Sequence, residues 1–451
     1  MTQLLRRRVE VVLTACTVFL LPTNLFLKYV YDGAYVHGQL IDYLLPKFYL
    51  SDVPILLLLL LWIPRCPRYV KKVAGVFLIF AGIHLASHAG DASAPSTMWF
   101  LAKLLEMGLF GLWLVDHVST MLTPMIRRMF FITALFQTTI GAYQVFSGKA
   151  LFGYWFFGEP LLQAVPTIAR SDIAGPLRFL AYGTTPHPNI LAGIVVLFAC
   201  MSILFEQIKQ KRVVEKVETR DLKQYVAWSV IVYIALLLTQ SFSAFVAFVF
   251  GTIVFALSKH EYFRVRAQFR DYTRFACVLF LIVPIATLLI PLSIANTNTS
   301  ILRRQQLTSI ATRMFLSRPI DGYGLNQFAQ YSESFGVVSA TTRFLQPAHH
   351  VGLLWLSETG LLGIVFFCIF FIIAQQYYSI KFTQAAILFF TLLPILSLDH
   401  YILTLQQGQL VFAFTLMFFV EKRIQKRTTF SRGFAHPTKK GRSLALARRH
   451  R

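Results

Sequence analysis

A chain of 451 residues that is 56% hydrophobic and 14% charged, with mean hydropathy +0.59, carries too much apolar surface for an ordinary water-soluble protein. Its formal net charge of +23 would suggest nucleic acid in a soluble domain. The cations instead sit between apolar runs at alternate junctions, as the positive-inside rule requires of a polytopic membrane protein, and no nucleic-acid partner is expected.

Apolar runs fall near 9–27, 50–64, 73–90, 97–118, 129–147, 189–208, 224–240, 242–257, 275–295, 351–373, 385–398 and 410–420, which predicts about twelve transmembrane helices. Arg6 to Arg8 ahead of the first run resemble a signal peptide, but no small-residue cleavage site follows before Pro22, so the run reads as an uncleaved span. Basic junctions at 65–72, 127–128, 209–223 and 259–274, and the tail after Glu421, share one side, the cytoplasm, with both termini. Segments 28–49, 148–188, 296–350 and 399–409 are then on the outer face. The expected organisation is a transmembrane domain over 1–420, with a long extracytoplasmic loop at 296–350, and a basic cytoplasmic tail over 421–451 resting on anionic lipid. Cys16, Cys66, Cys200, Cys277 and Cys368 lie in spans or at a cytoplasmic junction, so neither disulfides nor structural zinc is expected.

In chain order, the first outer segment is rich in aromatic residues and reads as an interfacial belt. His84 and His88 are one helical turn apart without a matching third metal ligand, and read as interfacial histidines. Lys103 and Glu106, three apart inside the fourth span, are spaced to neutralise each other, either as a structural pair or along a pathway. Gly183, Pro186 and Pro188 bend the approach to the sixth span, which Asn189 caps, and turn chemistry accounts for His187.

The segment from Arg303 to Gly363 concentrates the chemistry. Leu307, Ile310, Ala311, Met314 and Phe315 share one helical face. Arg304 projects near that face and Arg313 about half a turn away. Pro319 ends the helix, and Gly322 and Gly324 suit a turn. His349 and His350 follow Pro347 at the mouth of a long apolar helix.

The run R-x-x-L with Ala and Met at helical spacing, Pro fifteen after the Arg, G-x-G-x-x-x-F, then H-x-x-x-L-x-x-L-x-E-x-G-x-x-G resembles the core of the O-antigen ligase and O-antigen polymerase superfamily. Arg304, Leu307, Ala311, Met314, Pro319, Gly322, Gly324 and Phe328 fit its first half; His349, Leu353, Leu356, Glu358, Gly360 and Gly363 fit the second, with His350 where that family usually has Asn. The loop R-x-x-x-Y-G-T-x-x-H-P-N-x-L-A-G also resembles that family's; Arg178 fits its diphosphate-facing arginine, with Arg170 a second candidate. In many relatives the turn before the eighth span carries an arginine where this chain has Phe242.

The resemblance implies an all-α polytopic fold of the GT-C-like kind, without cofactor or metal. The implied enzyme moves a glycan from an undecaprenyl-diphosphate-linked donor to a glycan, lipid or protein acceptor at the outer face of the inner membrane. Guanidinium groups suit the leaving diphosphate because their fork matches two phosphate oxygens. An imidazole suits the acceptor proton. Arg178, Arg304 and the adjacent Arg303 are therefore the expected donor contacts, with His349 the expected base. His350 either replaces the Asn structurally or is the base itself. Glu358 either pairs with Arg178 or Arg304 or is a structural acid; Asp399, beside His400, either orients a histidine or solvates a short loop. The motif leaves ligase and polymerase open. A transporter or flippase of the same lipid-linked glycans is the alternative from another class, although no inverted repeat is visible.

Overall fold

The computed structural model describes residues 2–88, 94–117, 122–163, 168–171, 178–210, 220–259, 299–336 and 345–422. The long helices are α1 (Gln3–Leu20), α2 (Asp52–Trp62), α3 (Arg68–Ser87), α4 (Ala94–His117), α5 (Leu122–Ser147), α6 (Pro188–Gln210), α7 (Arg220–Thr239), α8 (Phe242–Lys259), α9 (Thr299–Ser317), α10 (Val351–Tyr377), α11 (Phe382–Leu398) and α12 (Gln406–Phe419). Five of them, α3, α4, α5, α6 and α10, contain stretches long and apolar enough to cross a membrane, and α7, α8 and α11 contain shorter apolar stretches. The expected span at 275–295 lies outside the described residues, and the tail is described only to Lys422. The fold is that of a mostly helical membrane protein; the figure of twelve spans and the GT-C-like likeness stay expectations.

The chain is not purely helical. Among the described residues, four two-stranded antiparallel pairs join segments outside the helices: Phe26–Lys28 with Lys47–Tyr49, Tyr35–Val36 with Gln39–Leu40, Arg170–Ser171 with Arg178–Phe179, and Tyr378–Ile380 with Val420–Lys422. Each satisfies backbone groups that no helix takes up. The segment 28–49, expected to be an interfacial belt, is thus folded and packed. Its Ala34, Val36, Ile41, Leu44 and Leu45 pack with Ala329 and Leu345.

The bundle core is continuous. α11 lies along α8, α12 along α4, α6 against α7, and α1 against α5. Trp113, Phe110, Phe130, Phe198 and Phe414 are fully buried in that core. At one end of the bundle Tyr69, Asp116 and Tyr378 are hydrogen-bonded together. The loops discussed below meet at the other.

α9 buries the expected face: Leu307, Ile310, Ala311 and Met314 pack on Ala348, Leu353 and Leu354 at the start of α10, while Arg313 points out and reaches Ser309. After α9 the segment from Pro319 to Gly324 passes alongside the middle of α10. Gly360 interrupts that helix at φ 58°, ψ −154°. The opened backbone is completed by the passing segment: Leu361 N–H donates to Pro319 O at 2.8 Å and Leu362 N–H to Ile320 O at 3.0 Å, while Tyr323 and Gly324 N–H donate to Ser357 and Glu358 O at 3.0 and 2.9 Å. A broken helix in an apolar setting is stable only when its freed groups find such partners. Gly322, at φ 70°, leaves no room for a side chain against the Glu358 carbonyl.

The turn from Gly322 to Phe328 is held on every side. His84 Nε2 accepts from Leu325 N–H at 2.8 Å, and His88 Nε2 lies 3.4 Å from Gly322 O. Thr97 donates to Leu325 O at 2.8 Å, and Asn326 Nδ2 donates to Tyr43 O at 2.8 Å and Ser96 Oγ at 2.7 Å. His84 and His88, expected as interfacial groups, are buried and support this loop. Among the described residues no group of three or more His, Cys, Asp or Glu side chains is arranged to hold a metal ion. Lys103 pairs with Glu106 at 2.9 Å as its spacing predicts, and also with Asp52 of α2 at 2.6 Å, a partner far away in sequence.

Candidate functional site

Five segments converge: the starts of α6, α8, α9 and α10 and the end of α11. Asp399, at the end of α11, is 5% exposed. Its carboxylate accepts from Asn189 Nδ2 at 3.0 Å and from the Ser243 hydroxyl, and Arg304 Nη2 lies 3.5 Å away. Arg304 stands in the second turn of α9, where the helical register turns it inward, and its Nε is buried without a partner. Ser243 points inward from the first turn of α8, while its neighbour Phe242 is 64% exposed. An inward hydroxyl and an outward ring therefore occupy the turn where relatives carry an arginine.

His349 precedes the first turn of α10 and faces His400, with ring centroids 5.0 Å apart at 80°. His349 Nδ1 is buried without a partner. Burial holds the His349 imidazole well below the usual histidine range, reinforced by His400, Arg304, His187 and Arg303. Burial, with His187 and Arg304, pushes His400 down to about 3. Burial raises the Asp399 carboxyl, opposed by Arg304, Ser243 and Asn189. The site thus presents neutral imidazoles beside fixed guanidinium groups.

His350 is the N-cap of α10: it is 3% exposed and its Nδ1 accepts from Leu353 N–H at 3.2 Å. An Asn side chain does the same job at a helix start, so this geometry matches the structural alternative for His350. Glu358 does not turn to either arginine in its described contacts. It is 3% exposed, and its carboxylate accepts the Phe328 N–H at 3.1 Å, with the Asn326 and Gln327 N–H groups also bonded to it. It fixes the turn after α9. Arg170 and Arg178 lie exposed on the short strand pair before α6, with the Arg170 guanidinium 4.6 Å from the centre of the Phe179 ring. They are not among the groups that contact Asp399 or His349 here.

Sequence reasoning missed Ser243 and Tyr43, and gave Asn189 only a capping role. Asn189 instead spans to Asp399, while His187 Nδ1 accepts the Asn189 N–H at 3.2 Å, which is the turn chemistry expected. The only local signal for Ser243 was a pair of small polar residues, Ser241 and Ser243, in an otherwise apolar turn.

The mostly helical membrane bundle thus gathers an arginine, an aspartate and paired histidines among its interhelical loops. Residues 227–368 match the model of the family described as O-antigen ligase, and this match supports the likeness of that stretch to the O-antigen ligase/polymerase superfamily. The matched stretch contains Ser243, Arg303, Arg304, His349, His350 and Glu358. It supports O-antigen ligase-like glycan transfer, hence a glycosyltransferase-type enzyme with glycan donors and acceptors. No curated protein and no solved structure matches the chain.

Proposed function

We propose that the protein transfers a glycan from an undecaprenyl-diphosphate-linked donor to an acceptor hydroxyl at the outer face of the inner membrane, with both termini in the cytoplasm. The observation that carries this reading is the meeting of Arg304 and His349 around Asp399 and His400. Arg304, with Arg303 beside it, binds the diphosphate and stabilises the charge that builds on it as the glycosidic bond breaks. Arg178, exposed at the approach to α6, and Arg170 near it are a second contact for the same headgroup. His349 accepts the proton of the acceptor hydroxyl as its oxygen attacks the anomeric carbon, and the proton then leaves to solvent. Asp399 holds Arg304, and His350 and Glu358 hold the backbone that carries His349 and the turn after α9.

The test is incubation of purified protein with a defined undecaprenyl-diphosphate glycan and acceptor, followed by mass analysis. A single transferred glycan with release of the lipid diphosphate is expected for a ligase. A ladder of products assigns polymerisation instead. Movement of intact donor across proteoliposomes without covalent product overturns both in favour of transport.

A further inference from the structure

His400 is fixed more firmly than the histidine it faces. Its Nδ1 lies 2.6 Å from Thr404 Oγ, and that hydroxyl also donates to the His400 carbonyl at 3.2 Å. Whichever of the two carries the shared proton, this short contact ties the imidazole to the α-helical turn that follows it. The Tyr43 ring meets His400 edge to face, 5.4 Å between centroids at 80°. Tyr43 is itself tied to the turn after α9 through its carbonyl and Asn326. His349 has no such tether on its buried Nδ1. Its ring orientation therefore depends on packing, and His400 is the ring it packs against.

We propose that His400 is a positioning residue whose ring, locked by Thr404 and backed by Tyr43, sets the orientation of the His349 imidazole. The inference rests on His349 being the base of the proposed transfer. The charged and titratable groups facing this pair are Arg303 and Arg304 from α9, His187 before α6, Asp399 beside it, and Tyr43 from the first outer segment. An off-rotamer or rotated base loses its near-attack alignment, so a displaced ring slows transfer while donor binding is kept.

The experiment compares His400→Ala, His400→Phe and Thr404→Val in purified protein. Two readouts are taken: transfer kinetics, and the rate of carbethoxylation of His349 by diethyl pyrocarbonate at one near-neutral pH, followed by mass spectrometry. His400→Ala is expected to lower kcat at least about tenfold with donor KM within about twofold, and His400→Phe to restore most of it because the ring contact survives. Thr404→Val, which frees the His400 ring, is expected to lower kcat severalfold. His349 is expected to be labelled faster in His400→Ala and Thr404→Val than in the unaltered protein, because its ring is no longer held, and at the unaltered rate in His400→Phe, which keeps the ring contact. Equal impairment of the Phe and Ala variants, or wild-type kcat in Ala, overturns the proposal. Should the Ala variant not fold, wild-type kcat or an unchanged His349 labelling rate in Thr404→Val overturns it. If the unaltered protein transfers nothing, the proposed function falls, and the labelling alone decides on His400: faster labelling in Ala and Thr404→Val than in Phe supports the positioning contact, and equal labelling in all variants removes it.

Discussion

Asp399→Asn is the substitution that most directly separates holding Arg304 from binding substrate. The carboxylate is 3.5 Å from Arg304 Nη2, with side-chain exposures of 21% for Arg304 and 7% for Asp399. Two unit charges at that distance attract by about 5 kcal/mol at an effective dielectric of ~20. Much of this is offset by burying the carboxylate, as its raised pKa attests. A net value of about 2 kcal/mol, the range of a charge-assisted hydrogen bond, is the reasonable remainder. Asn keeps the shape and the bond from Asn189, but it loses the charge that fixes the guanidinium. If Arg304 must be held in place to meet the leaving diphosphate, about 2 kcal/mol corresponds to roughly a 30-fold fall in kcat. Donor KM should not rise, because an arginine freed from its carboxylate binds phosphate at least as well. Steady-state transfer with a fluorescent lipid-linked donor measures both. A raised donor KM with kcat preserved would refute the reasoning and make Asp399 a substrate contact.

His349→Ala should reduce transfer by about 10²–10⁴ while leaving abundance and donor binding intact, whereas His350→Asn, which keeps the cap of α10, should be near neutral in both activity and melting temperature. Acidification should unfold the protein through its buried histidines. Their folded pKa values lie below the unfolded value near 6.5, at about 4 for His350 and about 3 for His400, so stability is full above pH ~6.5 and is lost as pH falls toward those values. Melting in detergent across pH 4–7 checks this, and a flat profile contradicts it. Gly360→Ala should cost about 3 kcal/mol or more, since the φ/ψ there is a glycine region and a methyl would meet the Ile320 carbonyl carbon at 2.5 Å and Asp321 N at 2.7 Å; an unchanged unfolding midpoint would show that the break in α10 is not rigid.

What could be read from the sequence was whatever depends on neighbours in the chain. The apolar face of α9, the inward Arg304 against the outward Arg313, the turn after Pro319 and the histidines at the mouth of α10 all follow from helical spacing and turn residues. Pairings between distant segments did not. Nothing near His84 and His88 says that their partners lie more than 230 residues further on. Glu358 looked like a counter-ion for arginine because a buried acid needs compensation; backbone N–H groups of the turn provide it. Asp399 looked like a partner for the histidine next to it, yet its described partners come from α6, α8 and α9. The short strand pairs escaped because two-residue ladders have no periodicity to detect.

The charge arrangement also bears on how the proposed reaction is ordered. A base surrounded by Arg303, Arg304 and two other imidazoles is a poor proton acceptor, as the lowered pKa of His349 records. An ionised diphosphate bound on the arginines reverses that field: the cations are neutralised and a new anion stands nearby, which raises the histidine pKa. His349 then becomes a competent base chiefly when donor is in place, and deprotonation of an acceptor or a stray water in the empty site is disfavoured. The acid limb of kcat, which reports the loaded enzyme, should accordingly lie at higher pH than the acid limb of kcat/KM, which reports the free one. Coincident limbs would mean that the headgroup does not sit against Arg304, because a charge within a few ångströms of that guanidinium cannot leave the neighbouring imidazole unmoved.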